Sequence, residues 1–320
     1  MDFSDGARTI IDQSLAVQNG ESVLVLNDSN DEAMIEAVVD RANQVADEVE
    51  AITFEEPETQ GAEPPQHVAD AMKDFDAVVA PTVKSLTHTD ARREACEHGA
   101  RVVTLPSITR EVWNQALAAD LQEVKRNSEA IYEALHDTAE VRVTTPSGTD
   151  VSFEVQIKYY EPGTGMVREP GDYGNLPAGE TFGVPVNMNG TLVIDHFPIA
   201  PRGTKIEVED DKVVSAESPG NDGSELEARF GDTQGARNMA EFGFGTNPEA
   251  ELVGNTLQDE KVLGTVHFAF GDNSSYVPGD DDPREVNAPL HHDTVCEKPT
   301  VYFDDTLMLD SGKPVFLDRI

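Results

Sequence analysis

Four short apolar runs in the first third of this chain are separated by segments whose apolar residues recur at helical spacing. This alternation constrains the fold more than any other feature. Ser22–Asn27 (SVLVLN) is apolar at consecutive positions, as a strand covered on both faces must be. From Asp31 to Asp47, Met34, Ile35, Val38, Val39 and Val45 fall on one helical face. Val49–Phe54 predicts a second strand, Pro65–Phe75 a helix, Ala77–Ala80 (AVVA) a third strand, Thr89–His98 a helix, and Arg101–Leu105 (RVVTL) a fourth strand. Strands joined through helices pair in parallel, so this pattern predicts a doubly wound, mostly parallel α/β sheet. No G-x-G-x-x-G opens any of its helices, and nothing marks a dinucleotide site.

A longer helical pattern over Val112–Leu135 leads to a change of texture near residue 140. Beyond it EVRVTTPSGTDVSFEV predicts a hairpin about Pro146, Ser147 and Gly148. GTLVIDHFPI predicts a strand, TKIEVEDDKVVSAE another hairpin, and Gly223–Phe230 (GSELEARF) an acidic helix. The expected organisation is a Rossmann-like domain over residues 1–138, followed by an α+β metal-binding catalytic domain, rich in antiparallel strands, over 139–320. The acidic, proline-bearing stretch Glu55–Pro65 is expected to be a surface loop.

Acids outnumber bases 61 to 23, giving a formal charge of −38 spread along the whole chain. A diffuse acidic surface stays hydrated where salt screens repulsion, which suggests a salt-loving, halophilic cytoplasm. The same charge makes nucleic acid and anionic membranes poor partners. Two cysteines, Cys96 and Cys296, form no disulfide framework. The first residues carry no basic and apolar leader pattern, and no run nears the roughly 18 apolar residues that span a bilayer. The expected location is cytoplasmic.

The chemistry lies late in the chain. His267 stands in GTVHFAFGDN, and His291 and Asp293 in APLHHDTV, although the chain has only eight histidines. Two imidazoles and a carboxylate are a minimal set for a catalytic divalent metal. In an extended segment residues i and i+2 share a side, so His291 and Asp293 can face one ion while His292 points away. The alternative is a satisfied core histidine at 267 and a solvated turn at 291–293. Glu180 (NLPAGETF) and Glu241 (AEFGFGTNP) sit in apolar, glycine-rich settings, where a carboxylate is costly unless paired or bound to a cation. Gly243, Gly245 and Gly271 are consistent with backbone packed close around a site.

Together NLPAGETF, AEFGFGTNP, DEKVLGTVHFAFGDN and HHD resemble the metalloaminopeptidases of the aminopeptidase T and aminopeptidase S type. Upstream, SLTHTDARREACEHGARVVTLPSIT and VRVTTPSGTDVSFEV agree, and the resemblance covers roughly residues 75–305. It implies two divalent ions (Zn, Co or Mn) held by Glu180, Glu241, His267, His291 and Asp293. Those ions would activate a water for hydrolysis of the N-terminal residue of a small peptide, with Glu180 or Glu241 shuttling the proton. It also implies a homodimer. The family's tyrosine after the first histidine is replaced by Ser274, and Tyr276 is the candidate to take its place. A second branch, the 2,5-dihydroxypyridine dioxygenase type, is similar as well. It implies one Fe(II) on His267, His291 and Asp293, a small aromatic substrate, Glu180 beside the iron, and His88 as an acid/base. The two intact glutamates make aminopeptidase the first expectation and the Fe(II) ring-cleaving dioxygenase the alternative.

Overall fold

The computed structural model describes residues 2–197, 200–220, 224–231, 233–277 and 282–319. Two compact units emerge, one of residues 1–125, 164–178 and 248–251, the other of 126–163, 179–247 and 252–320.

The first unit is built on a five-stranded sheet ordered Glu48–Thr53, Ser22–Asn27, Ala77–Ala80, Arg101–Thr104, Tyr173–Asn175. Every pairing in it is parallel. The central runs are apolar for the reason anticipated: Leu24, Leu26, Val78, Ala80 and Val102 are buried beneath Val68, Met72, Ala91 and Ala95 of the covering helices. The outer Glu48–Thr53 strand keeps its glutamates exposed, which blunts a sheet edge. Helix starts follow local chemistry. Asp31 caps Glu32–Ala42 through Ala33 N, and Thr89 caps Asp90–Glu97 through Arg92 N.

The helix expected over Val112–Leu135 is broken. A short helix Arg110–Asn114 and a turn Ala116–Ala118 precede the long helix Leu121–His136. Gln115 leaves helical geometry at φ −111°, ψ −99°, and Asp120 restarts the helix by accepting from Gln122 N at 2.9 Å. The strand Tyr173–Asn175 is too short and too polar to have carried a sequence signal.

The second unit holds two antiparallel sheets. The larger has eight strands, ordered Lys212–Glu217, Lys205–Glu209, Val186–Val193, Asp150–Glu154, Glu140–Thr144, Thr300–Phe303, Thr306–Asp310, Lys313–Pro314. Both predicted hairpins lie in it. The smaller has five, ordered His291–Cys296, Val266–Gly271, Met239–Gly245, Glu180–Gly183, Tyr160–Gly163. An acidic helix spans Ser224–Phe230, and Gly223 of the expected segment lies outside the described residues. The α/β first half and antiparallel-rich second half match the expected fold class. No helix among the described residues is long and apolar enough to cross a membrane.

The five-stranded sheet positions the site through its two-residue period. Phe242, Phe244, Phe268 and Phe270 point to the face that packs into the core, where Phe242 meets Phe153 at 4.8 Å and Phe230 meets Phe270 at 5.4 Å between ring centroids. Their chain neighbours Glu241, Gly243, His267 and Ala269 are therefore on the opposite face.

Candidate metal centre

Strand register converts that face into a cluster. Ala269 lies opposite Glu241 on one side and Asp293 on the other, so a methyl group separates two carboxylates. His267 lies opposite Gly243, and a Cβ at 243 would sit 1.9 Å from His267 Cε1 and 2.0 Å from Nε2. Only a glycine leaves room for the imidazole to cross its neighbour strand. Gly179, at φ +126°, sets up the next carboxylate. A Cβ there would be 2.5 Å from Asn247 Cβ, so glycine lets the chain pass Asn247 and enter the Glu180 strand.

His267 is fully buried, and Glu241 is 4% exposed. His267 Nε2 is 3.2 Å from Glu241 Oε1 and 3.4 Å from Glu180 Oε2. His291 Nε2 is 3.2 Å from Glu241 Oε2 and 3.4 Å from Asp293 Oδ1. Three overlapping sets of donor atoms, each within 4.8 Å of one another, share these residues: Glu180, Glu241 and His267; Glu241, His291 and Asp293; Glu260, His267 and Asp293. Neither bland alternative holds. His267 is no satisfied core histidine, because its buried Nδ1 has no hydrogen-bond partner. His291–Asp293 is no turn, because it opens a strand. His292 does point away, its ring 6.3 Å from that of Phe197.

Charge follows from this crowding. Burial would depress His267, but the hydrogen bond to Glu241 and the charges of Glu180, Glu241 and Glu260 raise it to about 9. Burial likewise opposes, and Asp293 and Glu241 outweigh it, so that His291 is raised well above its ordinary value. Glu241 is pulled below the carboxylate range because the two imidazoles overcome its burial. Burial, with Asp293 and Glu180 nearby, pushes Glu260 up to about 7 against the opposing charge of Lys261.

The donor set fits a divalent cation. Imidazole nitrogens and carboxylate oxygens converge from four strands, and Glu180 Oε2 is buried without a hydrogen-bond partner. His291 Nδ1 lies 2.7 Å from the Asp272 carbonyl, and an N–H donated there leaves Nε2 to bind a metal. The chain thus brings Glu180, Glu241, His267, His291 and Asp293 together. Tyr276 joins them as a wall, with its ring centroid 5.6 Å from that of His291 and 5.4 Å from that of Phe182. Burial and the surrounding carboxylates keep its phenol protonated. Ser274 instead bonds Asp272 Oδ1 at 2.9 Å. His88 belongs to the first unit, where it is exposed just ahead of the helix capped by Thr89.

Two residues escaped the sequence reading. Glu260 and Lys261 lie in DEKVLGTVHFAFGDN, directly ahead of the GTVH segment. An adjacent acid and base before a buried strand was the available signal. Beside the cluster, a cavity of ≈ 180 Å³ is lined by Tyr159, Tyr160, Glu161, Phe182 and Tyr276 among others.

The family model for 2,5-dihydroxypyridine 5,6-dioxygenase, NicX, matches residues 11–316. The chain belongs to the 2,5-dihydroxypyridine 5,6-dioxygenase family. The structure of 2,5-dihydroxypyridine dioxygenase from Pseudomonas putida KT2440 is similar to this NicX-family chain with a TM-score of 0.79 at 20% identity, covering 98% of this chain and 96% of that one. Wild-type AmpT from Thermus thermophilus is similar with a TM-score of 0.70 at 17% identity, covering 98% of each. At such identities both establish the fold. No curated protein matches the chain. Family membership favours the dioxygenase branch over the aminopeptidase that the motifs had put first.

Proposed function

We propose that this protein is a non-haem Fe(II) dioxygenase that opens the ring of a small hydroxylated heteroaromatic of the 2,5-dihydroxypyridine type. The family match over residues 11–316 carries this reading. His267, His291 and Asp293 would hold the iron, a two-histidine, one-carboxylate set that leaves three positions open. A ferrous ion held there would supply open coordination positions and the redox chemistry of oxygen activation.

The chain's own residues supply orientation and proton handling. Asp272 aims His291 through Nδ1. Glu241, within 3.2 Å of both imidazoles, is placed to accept a hydrogen bond from a ring hydroxyl. Phe182 and Tyr276, packed edge to face beside His291, form an apolar wall suited to a flat ring. The adjoining cavity of ≈ 180 Å³ is of a size for one ring, since an engineered void of about 150 Å³ admits benzene.

Aminopeptidase activity remains the second reading, favoured by the surplus of carboxylates, with Glu180 and Glu241 both beside His267. One experiment separates the two. Protein prepared anaerobically and loaded with Fe(II) is given 2,5-dihydroxypyridine while oxygen uptake and loss of ring absorbance are followed. Zinc-, cobalt- and manganese-loaded samples are given short peptides. Uptake of one O₂ per ring opened is the expected result. Metal-dependent release of N-terminal residues with no oxygen uptake would overturn the proposal in favour of the second reading. His88 is kept as the acid/base candidate: His88→Ala should slow ring opening while leaving iron bound, and an unchanged rate would remove it.

A further inference from the structure

Lys261 carries a positive charge into the centre itself. Its side chain is 5% exposed, and its Nζ donates to Glu180 Oε1 at 2.5 Å and to Glu260 Oε1 at 2.6 Å. Both carboxylates border the donor cluster. Glu180 Oε2 is 3.4 Å from His267 Nε2, and Glu260 shares a set with His267 and Asp293. The lysine is no mobile arm. Its backbone N–H donates to the Gln258 carbonyl at 2.9 Å, and its own carbonyl accepts from Asn247 N at 2.9 Å. The ammonium is therefore a fixed point charge, built in by the turn that follows the helix Thr256–Asp259.

Charge balance gives this lysine a role. Four carboxylates, Glu180, Glu241, Glu260 and Asp293, meet in the three donor sets. Without Lys261 they would offset two divalent ions. With it, one divalent ion leaves the centre with a single negative charge when Glu260 is ionised and neutral when Glu260 is protonated, and a second ion would overshoot to positive in either state. A second ion would also have to take oxygens from Glu180 and Glu260, and one oxygen of each is already held by an ammonium in a buried setting where like charges repel strongly. We propose that Lys261 acts as a resident cation that occupies the place of a second metal and limits this centre to one divalent ion. His267, His291 and Asp293 remain for that ion. Lys261 is thus a positioning residue, and the proposal deepens the dioxygenase reading while resting on it only for the presence of a metal.

The test reads metal capacity rather than turnover. Metal-free full-length protein is dialysed against graded Mn(II), bound metal per chain is measured by elemental analysis, and the Mn(II) electron paramagnetic resonance spectrum is recorded at saturation. Wild-type protein is expected to bind one ion and give the spectrum of an isolated Mn(II). Lys261→Met, which keeps the length of the side chain and loses the charge, is expected to take up a second ion and give an exchange-coupled pair. Lys261→Arg, which keeps the charge, is expected to stay at one. Two tightly bound ions in wild-type protein overturn the proposal whatever the variants do, as does a folded Lys261→Met that still stops at one. Should Lys261→Met fail to fold, Lys261→Gln, which also removes the charge, is measured in its place with the same two outcomes. A single ion in a protein that cleaves peptides without oxygen uptake would overturn the function and spare this inference. Two ions in a protein that consumes oxygen with the ring would do the reverse.

Discussion

Gly243 and His267 show how a single missing side chain creates a site. The imidazole lies where any Cβ on the neighbouring strand would be, within 2.0 Å of its Nε2. Gly243→Ala should thus leave the sheet intact but displace His267, weakening divalent-metal affinity by at least about tenfold, or roughly 1.4 kcal/mol; calorimetric titration with Mn(II) checks it, and unchanged affinity counts against the cradle. Protonation sets the pH dependence of metal binding. With His267 raised to about 9 and His291 raised well above its ordinary value, both imidazoles are charged near neutrality in the metal-free centre. A cation needs them neutral at Nε2, so binding must expel protons, and apparent affinity should climb as pH rises from neutrality through about 9. Proton release is read by titrating in buffers of different ionisation enthalpy. A folded-state value raised from 6.5 to about 9 stabilises fully below 6.5 and is lost as pH passes 9, so metal-free protein should melt at progressively lower temperature across that window.

Among elements, the Val266–Gly271 strand serves two functions by alternation alone. Phe268 and Phe270 anchor one face in the core, and that anchoring holds His267 and Ala269 at the other. Phe268→Ala should cost about 3–5 kcal/mol, measured by urea unfolding, because the ring is fully buried against Phe153 and Phe242. By contrast Thr89→Ala removes one helix cap in the first unit and should cost only about 1 kcal/mol. The strands of the first sheet were legible because burial on both faces writes a continuous apolar run. The Glu180, Met239 and His291 strands were harder to read, since glycines, carboxylates and histidines replace the expected apolar residues. Those departures from strand pattern are the site. The H-x-D step kept its period, and it put His291 and Asp293 on one side with His292 on the other.

For the whole molecule, the charge of −38 makes ionic strength a structural variable. Raising salt from about 0.1 M to about 1 M shortens the screening length from about 10 Å to about 3 Å, so the melting temperature should rise over that range; a flat or falling curve would remove the halophilic expectation. The residues between Arg101 and Cys296 show where sequence stops being sufficient. By itself the sequence determined the parallel first sheet, the antiparallel second half and the candidate donors His267, His291, Asp293, Glu180 and Glu241, because these rest on local periodicity and on side-chain chemistry that is costly to bury unpaired. Only the tertiary structure decided that Glu241 lies between two imidazoles, that Gly243 yields its space to His267, and that Lys261 and Glu260 enter the centre. Those facts depend on strand register and on contacts between residues up to 81 positions apart, as from Glu180 to Lys261. No periodicity within a segment records which strand will lie beside it.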